Sequence, residues 1–295
     1  MKIYFYNNFH NGDLHVSRSL VKHIVSSLYQ ENYIYFHNNS EKILHDIESV
    51  SSVILPPAHQ NKKDQRGFHG QNTIFLNTWY RAHDSEFFNK YGVTIQCLYH
   101  IFKKSLKNSV NRDLDLDIVS CLPVIDYKVF EIDKITLFVK NDKRKKVLIC
   151  NNKVMSGQCE NFTFKNIVGK LSKEFQDVLF IVTNKVKDEK YDNENVKYFD
   201  DLFKVTDCDL NEISYLSLFC DVIVGRLSGP QSFSYVKENL LNPEKTFISI
   251  TDGNKMYRDT SFGVTDLVPK NERAKFIHYT GIDENEIVKV IGREL

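Results

Sequence analysis

Short apolar runs alternate along this chain with stretches whose apolar residues return at helical spacing, and that alternation leaves few folds open. In the second half VLICN is followed by the amphipathic FKNIVGKLSKEF, then VLFIVTN, a short VKYF and the helical LNEISYLSLF. DVIVG, a helix expected from Pro230 to about Leu240, the strand TFISI and a closing helix complete the series. In the first half MKIYFY leads through a polar turn into SRSLVKHIVSSLYQ, where Leu20, Ile24 and Leu28 share a face. NYIYFHN, SVILPP and QNTIFLNTWY supply further strands, and YGVTIQCLYHIFKKSL a helix after Gly92. Strand-helix alternation of this kind favours parallel sheets with right-handed crossovers. The run KNDKRKK interrupts it, which places a domain boundary near residue 140 and predicts two α/β domains, 1–140 and 141–295, facing a central cleft. In such sheets ligands bind beyond the carboxyl ends of the strands, where the strand order switches.

Composition narrows the function classes. With 26% charged and 42% hydrophobic residues over 295 positions the chain is neither disordered nor fibrous. Thirty-nine basic against 38 acidic residues give no global field toward nucleic acid or an anionic membrane, and no motif favours nucleic acid. Nine of ten histidines lie in the first hundred residues, so the two halves are expected to do different work. The start MKIYFYNNFHNGD turns polar too soon for a signal peptide and no run is long enough for a membrane span, so a cytoplasmic location is expected. Six cysteines without CxxC spacing read as small buried hydrophobes rather than disulfides or zinc ligands.

Two loops carry chemistry. In CDVIVGRLSGPQSF an apolar strand runs into Gly225, Arg226, Leu227, Ser228, Gly229 and Pro230 before a helix. Glycines let a backbone approach a ligand, proline suits a first helical turn, and helix N-termini favour phosphate, with Arg226 able to add a charge-assisted contact. A plain strand-to-helix turn accounts for the same residues. In NNFHNGDLHVSRSL, Asp13 follows the first strand, where it could take a proton from a hydroxyl, with His10 or His15 as alternatives. Asn11 and Asp13 could equally cap the helix that follows.

Together these segments resemble the heptosyltransferase-type glycosyltransferases: NGDLHVSRSL their opening Gly-Asp loop, CDVIVGRLSGP their Asp-hydrophobic-Gly-x-x-Ser-Gly-Pro loop. The resemblance implies the GT-B fold of two Rossmann-like domains, the first for the acceptor and the second for a nucleotide sugar, with no metal. It makes Asp13 the catalytic base and Ser228 and Gly229 the phosphate turn. Gly225, Pro230 and Gln231 would line that turn, Lys153 and Arg226 would neutralise phosphate, and Gly157 and Gln158 would contact donor. Asn11, Arg18, Trp79, Tyr80 and Arg81 would meet the acceptor, a saccharide or lipid-linked saccharide of surface polysaccharide or lipopolysaccharide assembly. The sequence departs from the family at Arg226 and in a Lys-rich segment reduced to Asn151-Asn152-Lys153. A polysaccharide pyruvyltransferase shares some of these features but would carry His at Ser228, and a non-catalytic nucleotide-sugar-binding protein is the other alternative. Asp113, Asp115 and Asp117 imitate a metal-binding Asp-x-Asp, but they follow KKSLKNSVNR rather than a strand, so no metal is expected there. The cations Lys143 to Lys146 could touch membrane phosphates, which sets peripheral membrane contact as the limit.

Overall fold

The computed structural model describes residues 2–8, 10–28, 33–37, 39–55, 69–70, 73–79, 94–154, 159–187, 189–227, 229–251 and 264–295. They form two compact units, one of Met1–Val129 with Thr260–Leu267 and one of Phe130–Asp259 with Val268–Leu295.

The first unit is built on strands β1 (Lys2–Asn7), β2 (Tyr33–His37), β3 (Val50–Ile54), β4 (His69–Gly70) and β5 (Thr73–Asn77), in the order β3-β2-β1-β5-β4. All pairs are parallel except β4 with β5. Helix α1 (Asn11–Ser27) follows β1, and α2 (Thr94–Val110) follows β5. Phe5, Tyr33 and Tyr35 stack across adjacent strands beneath Leu14, Leu20 and Ile24 of α1, all buried. Such aromatic pairs add to the burial that holds helix on sheet. The short helix Val264–Leu267 belongs to this unit, with Val264 fully buried.

In the second unit helix α3 (Asp133–Asn141) precedes β6 (Lys146–Cys150), α4 (Lys165–Glu174), β7 (Leu179–Val182), β8 (Val196–Tyr198) and α5 (Phe199–Phe203). Next come α6 (Leu210–Ser217), β9 (Val222–Gly225), α7 (Gly229–Phe233), α8 (Lys237–Leu240), β10 (Thr246–Thr251), β11 (Lys275–Thr280) and α9 (Glu284–Gly292). The six strands are parallel, in the order β11-β10-β9-β6-β7-β8. β6, β7 and β10 are buried at every position, as continuous apolar strands covered on both faces should be.

The structure differs from the sequence expectation at four places. The units divide at Val129, because KNDKRKK runs from the end of α3 through a short turn into β6 rather than forming a linker. The charges of that run hid α3, whose Ile135 is buried. β11 was not anticipated, being an edge strand with exposed and half-buried positions. The helix expected from Pro230 to about Leu240 is two short pieces, because Asn239 Nδ2 donates to Ser234 O at 2.9 Å and to Ser217 Oγ at 2.8 Å, so a side chain satisfies the carbonyl where the helix breaks.

Candidate functional site

The strand order puts both chemistry-bearing loops at switch points. In the first unit β1 lies between β2 and β5, so the order reverses beside the ends of β1 and β5. In the second unit the reversal falls between β6 and β9.

At the first switch point Asn7 and Asn8 are buried and His10 is the residue before α1. Asn11, Gly12 and Asp13 form the first turn of the helix itself rather than a loop before it. Asp13 Oδ2 accepts the His10 N–H at 3.3 Å, the acidic arm of a capping box, and a carboxylate here also meets the positive end of the helix. Beneath it lies a cluster of polar groups from the ends of β1 and β5, from β2 and from α1. Asn7 Nδ2 donates to Thr78 Oγ1 at 2.9 Å, and the Tyr35 hydroxyl is 2.5 Å from Thr78 Oγ1 and 3.2 Å from Ser17 Oγ. Burial pushes the Tyr35 phenol far above its ordinary value, and the field of Asp13 pushes it further. Asp13 therefore sits within electrostatic reach of this cluster.

The other candidates of the first unit divide. Asn11 is half-buried, and its Oδ1 meets no donor among the described residues. Trp79 is half-buried, its N–H bonded to Asn77 Oδ1 at 2.8 Å. His10 is exposed beside Asp13. His15 is fully buried, and residues two apart on a helix face different ways, so it is no alternative base beside Asp13. Arg18 is also corrected: it is fully buried, paired with Asp46 Oδ1 at 3.1 Å and donating to Ile43 O, which makes it a cation of the core rather than an acceptor contact. Tyr80 and Arg81 lie outside the described residues, as do Gly157, Gln158 and Ser228.

His37, at the carboxyl end of β2, is fully buried, and its Nδ1 accepts the Asn39 N–H at 3.2 Å. Burial pushes its pKa down to about 4. The unfolded chain, with an ordinary histidine near 6.5, binds the proton first, so this group's contribution is full above that value and is lost as pH falls toward 4. Between about pH 7 and about pH 5 the loss should be about 2 kcal/mol. Urea unfolding of the wild type and His37→Gln at both pH values measures it: the wild type should lose that much more stability than the variant, and parallel losses would refute the assignment.

At the second switch point the turn is a braced structure. Arg226 is 2% exposed. Its guanidinium donates to the carbonyls of Phe162, Asn151 and Asn152, the last at 3.0 Å, and lies 5.0 and 5.2 Å from the ring centres of Phe162 and Phe164. Burial lowers its pKa, and the preference of guanidinium for its proton keeps it charged. This corrects the expectation that Arg226 neutralises phosphate: the fork is spent on main-chain carbonyls of the loop after β6. Gln231 is likewise internal, its Oε1 accepting Leu227 N–H at 2.6 Å and its Nε2 donating to Ile248 O and Ser249 Oγ, both at 3.2 Å. These bonds hold Leu227 at φ 58, a left-handed conformation that costs a branched residue free energy. Gly225 is required by packing, since a Cβ there would lie 2.6 Å from Gln231 Oε1 and 2.9 Å from Cys150 Cβ. Pro230 is buried.

Of the described donor-site candidates that leaves Gly229, which is half-buried, and Lys153. Among the described residues a Cβ on Gly229 would meet only Leu210 Cδ2, at an ordinary 3.6 Å, so none of them demands glycine there. Lys153 is exposed and directly follows the carbonyls that Arg226 grips. The loop is tied down from its other side as well. Asn151 Oδ1 accepts Asn184 N–H at 2.9 Å, Thr183 Oγ1 donates to Asn152 Oδ1 at 2.7 Å, and buried Glu189 accepts from Asn151 Nδ2 at 3.3 Å and Thr163 Oγ1 at 2.5 Å. Sequence reasoning missed Tyr35, Thr78, Thr183 and Glu189; only Thr78 and Thr183 carried a signal, a polar residue directly after an apolar strand. Asp113 and Asp117 are otherwise engaged, Asp113 with Lys107 at 2.8 Å and Asp117 with the N–H and hydroxyl of Ser120.

No known family's sequence profile and no curated protein matches this chain. Solved structures do: its fold is that of the GT-B glycosyltransferases of the heptosyltransferase type. It is similar to Escherichia coli heptosyltransferase WaaC with ADP-2-deoxy-2-fluoro heptose, at a TM-score of 0.56 and 8% identity over 100% of both chains. It is also similar to E. coli ADP-heptose lps heptosyltransferase II (TM-score 0.57, 11% identity, 100% of this chain and 98% of that one). A glycosyl transferase family 9 structure from Veillonella parvula matches at 0.54 and 9% identity, over 99% and 96%.

Proposed function

We propose that the protein is a metal-independent glycosyltransferase that moves a sugar from a nucleotide-sugar donor to a saccharide or lipid-linked saccharide acceptor in surface-polysaccharide or lipopolysaccharide synthesis. The observation that carries this reading is that each unit has ligand-suited residues at its own switch point: Asp13 in the first turn of α1, and Gly229 at the start of α7 with Lys153 in the loop after β6. The end-to-end similarity to a structure described with an ADP-heptose analogue supports it. In the reaction Asp13 takes the proton of an acceptor hydroxyl, the oxygen bonds to the anomeric carbon, and the sugar's bond to the diphosphate breaks. The nucleoside diphosphate leaves against N–H groups of the α7 first turn, which have no partner within the helix, and the ammonium of Lys153. No helix among the described residues is long and apolar enough to cross a membrane, and we place the reaction on the cytoplasmic side.

Gly229→Ala tests the donor site without disturbing the fold. Alanine should leave the apo protein about as stable as the wild type, because the added methyl makes only an ordinary contact with Leu210, while on its open side it meets the ligand. In thermal-shift titrations with ADP, GDP, UDP and CMP, at least one should stabilise the wild type, by about 2.7 kcal/mol at a hundredfold excess over Kd. The variant should bind that nucleotide at least about tenfold more weakly, a loss of roughly 1.4 kcal/mol. Equal affinity in both proteins would refute the site.

A further inference from the structure

The second unit carries a surface that the proposed transfer does not use. Helix α3 faces inward through Ile135, which is buried, through Phe138, whose ring meets Phe203 edge-on at 5.4 Å, and through Thr136, 3.0 Å from the Tyr215 hydroxyl. Outward it presents Leu137 at 61% exposure, the most exposed of the large apolar side chains described. Beside it is an open groove of about 610 Å³, lined by Lys134, Leu137, Asn141, Lys143, Arg144 and Leu202 among others. Its lining holds three cations and one carboxylate, Asp142, which is tied to Arg144 at 2.5 Å; Lys140 is exposed nearby. The other carboxylates at hand are Asp133, Asp200 and Asp201, the last tied to Lys185 at 2.8 Å.

We propose that this face docks the protein on an anionic phospholipid surface. A protruding leucine ringed by long-stemmed lysines is suited to the boundary between headgroups and acyl chains: the apolar tip enters, and the ammonium groups stay with the phosphates. A nucleic acid would call for aromatic rings on which bases could stack. The one aromatic side chain of the lining, Phe138, is half-buried and turned against Phe203. Each cation near such a surface strengthens partitioning about fivefold, and burial of Leu137 adds a contribution that salt does not screen.

The test is co-sedimentation of the full chain with vesicles of phosphatidylcholine alone and of equimolar phosphatidylcholine and phosphatidylglycerol. Wild type should bind the anionic vesicles and not the neutral ones. Binding should weaken as salt rises from about 0.1 M to about 1 M, where screening shortens from ~10 to ~3 Å. Lys134→Glu/Lys143→Glu should lower the partition coefficient more than tenfold, and Leu137→Ser roughly fivefold. All three positions are exposed, so the variants should unfold at the wild-type temperature and keep its nucleotide affinity, which separates this result from any failure of the transfer reading. Equal binding to both vesicle types, or no change in the lysine variant, would overturn the proposal. So would full binding by Leu137→Ser, which would mean that any polyanion suffices.

Discussion

Asp13→Asn should reduce glycosyl transfer by about 10²- to 10⁴-fold, the range for removing a general base, while nucleotide affinity stays within a few-fold. The substitution separates the two roles the carboxylate can have. Asparagine retains an oxygen that can accept the His10 N–H, now made by Asp13 Oδ2 at 3.3 Å, so the start of α1 is kept. It cannot accept the acceptor's proton at neutral pH. The readout is kcat with a saturating donor, beside the melting temperature of the unliganded protein. Loss of turnover with no more than about 1 kcal/mol of stability lost, from removing the charge at the positive end of α1, is the expected result. A variant that turns over within a few-fold of wild type would make Asp13 a helix cap and no more, and the reaction would need another base.

The second large effect is on stability. Arg226→Ala should cost about 3 kcal/mol, because three main-chain carbonyls lose a charged donor in a place water does not reach, at roughly 1 kcal/mol or more each. For a unit of this size that corresponds to about 6–12 °C in melting temperature. Arg226→Lys should recover only part of it, since one ammonium cannot span the carbonyls of Phe162, Asn151 and Asn152 as the planar fork does. Donor affinity should fall too, through displacement of Lys153. A drop below about 1 kcal/mol for the alanine variant would show that the loop holds without its clamp.

The two substitutions mark where the sequence is legible. Strands such as VLICN and VLFIV are readable because a parallel sheet covered on both faces needs continuous apolar runs, and β6 and β7 are buried throughout. The positions of the two strand-to-helix turns are readable for a related reason, since glycine, proline and aspartate gather where an apolar strand gives way to a helix, as they do after β1 and β9. What the sequence hides is who meets whom across long separations. Arg226 looks like a cation offered to a ligand until the carbonyls 64 to 75 residues away close around it. Gln231 looks like part of a phosphate turn until its amide is found bridging Leu227 and β10. Arg18 is similar: its partner Asp46 stands 28 positions away, and nothing local distinguishes it from a surface cation. α3 and β11 were hidden by composition instead, one behind the lysines that follow it, the other by the half-polar pattern of an edge strand.

The return of Thr260–Leu267 to the first unit bears on how the chain is made. A ribosome releases the five strands of the first sheet before residue 78, yet the helix that completes that unit emerges only after β10 of the second. Its Val264 is fully enclosed. The early half must therefore wait, partly unsealed, while most of the later half is synthesised. Cutting the gene between Val129 and Phe130 would therefore deprive the first unit of its last helix, while the second fragment would still hold every segment of its own unit.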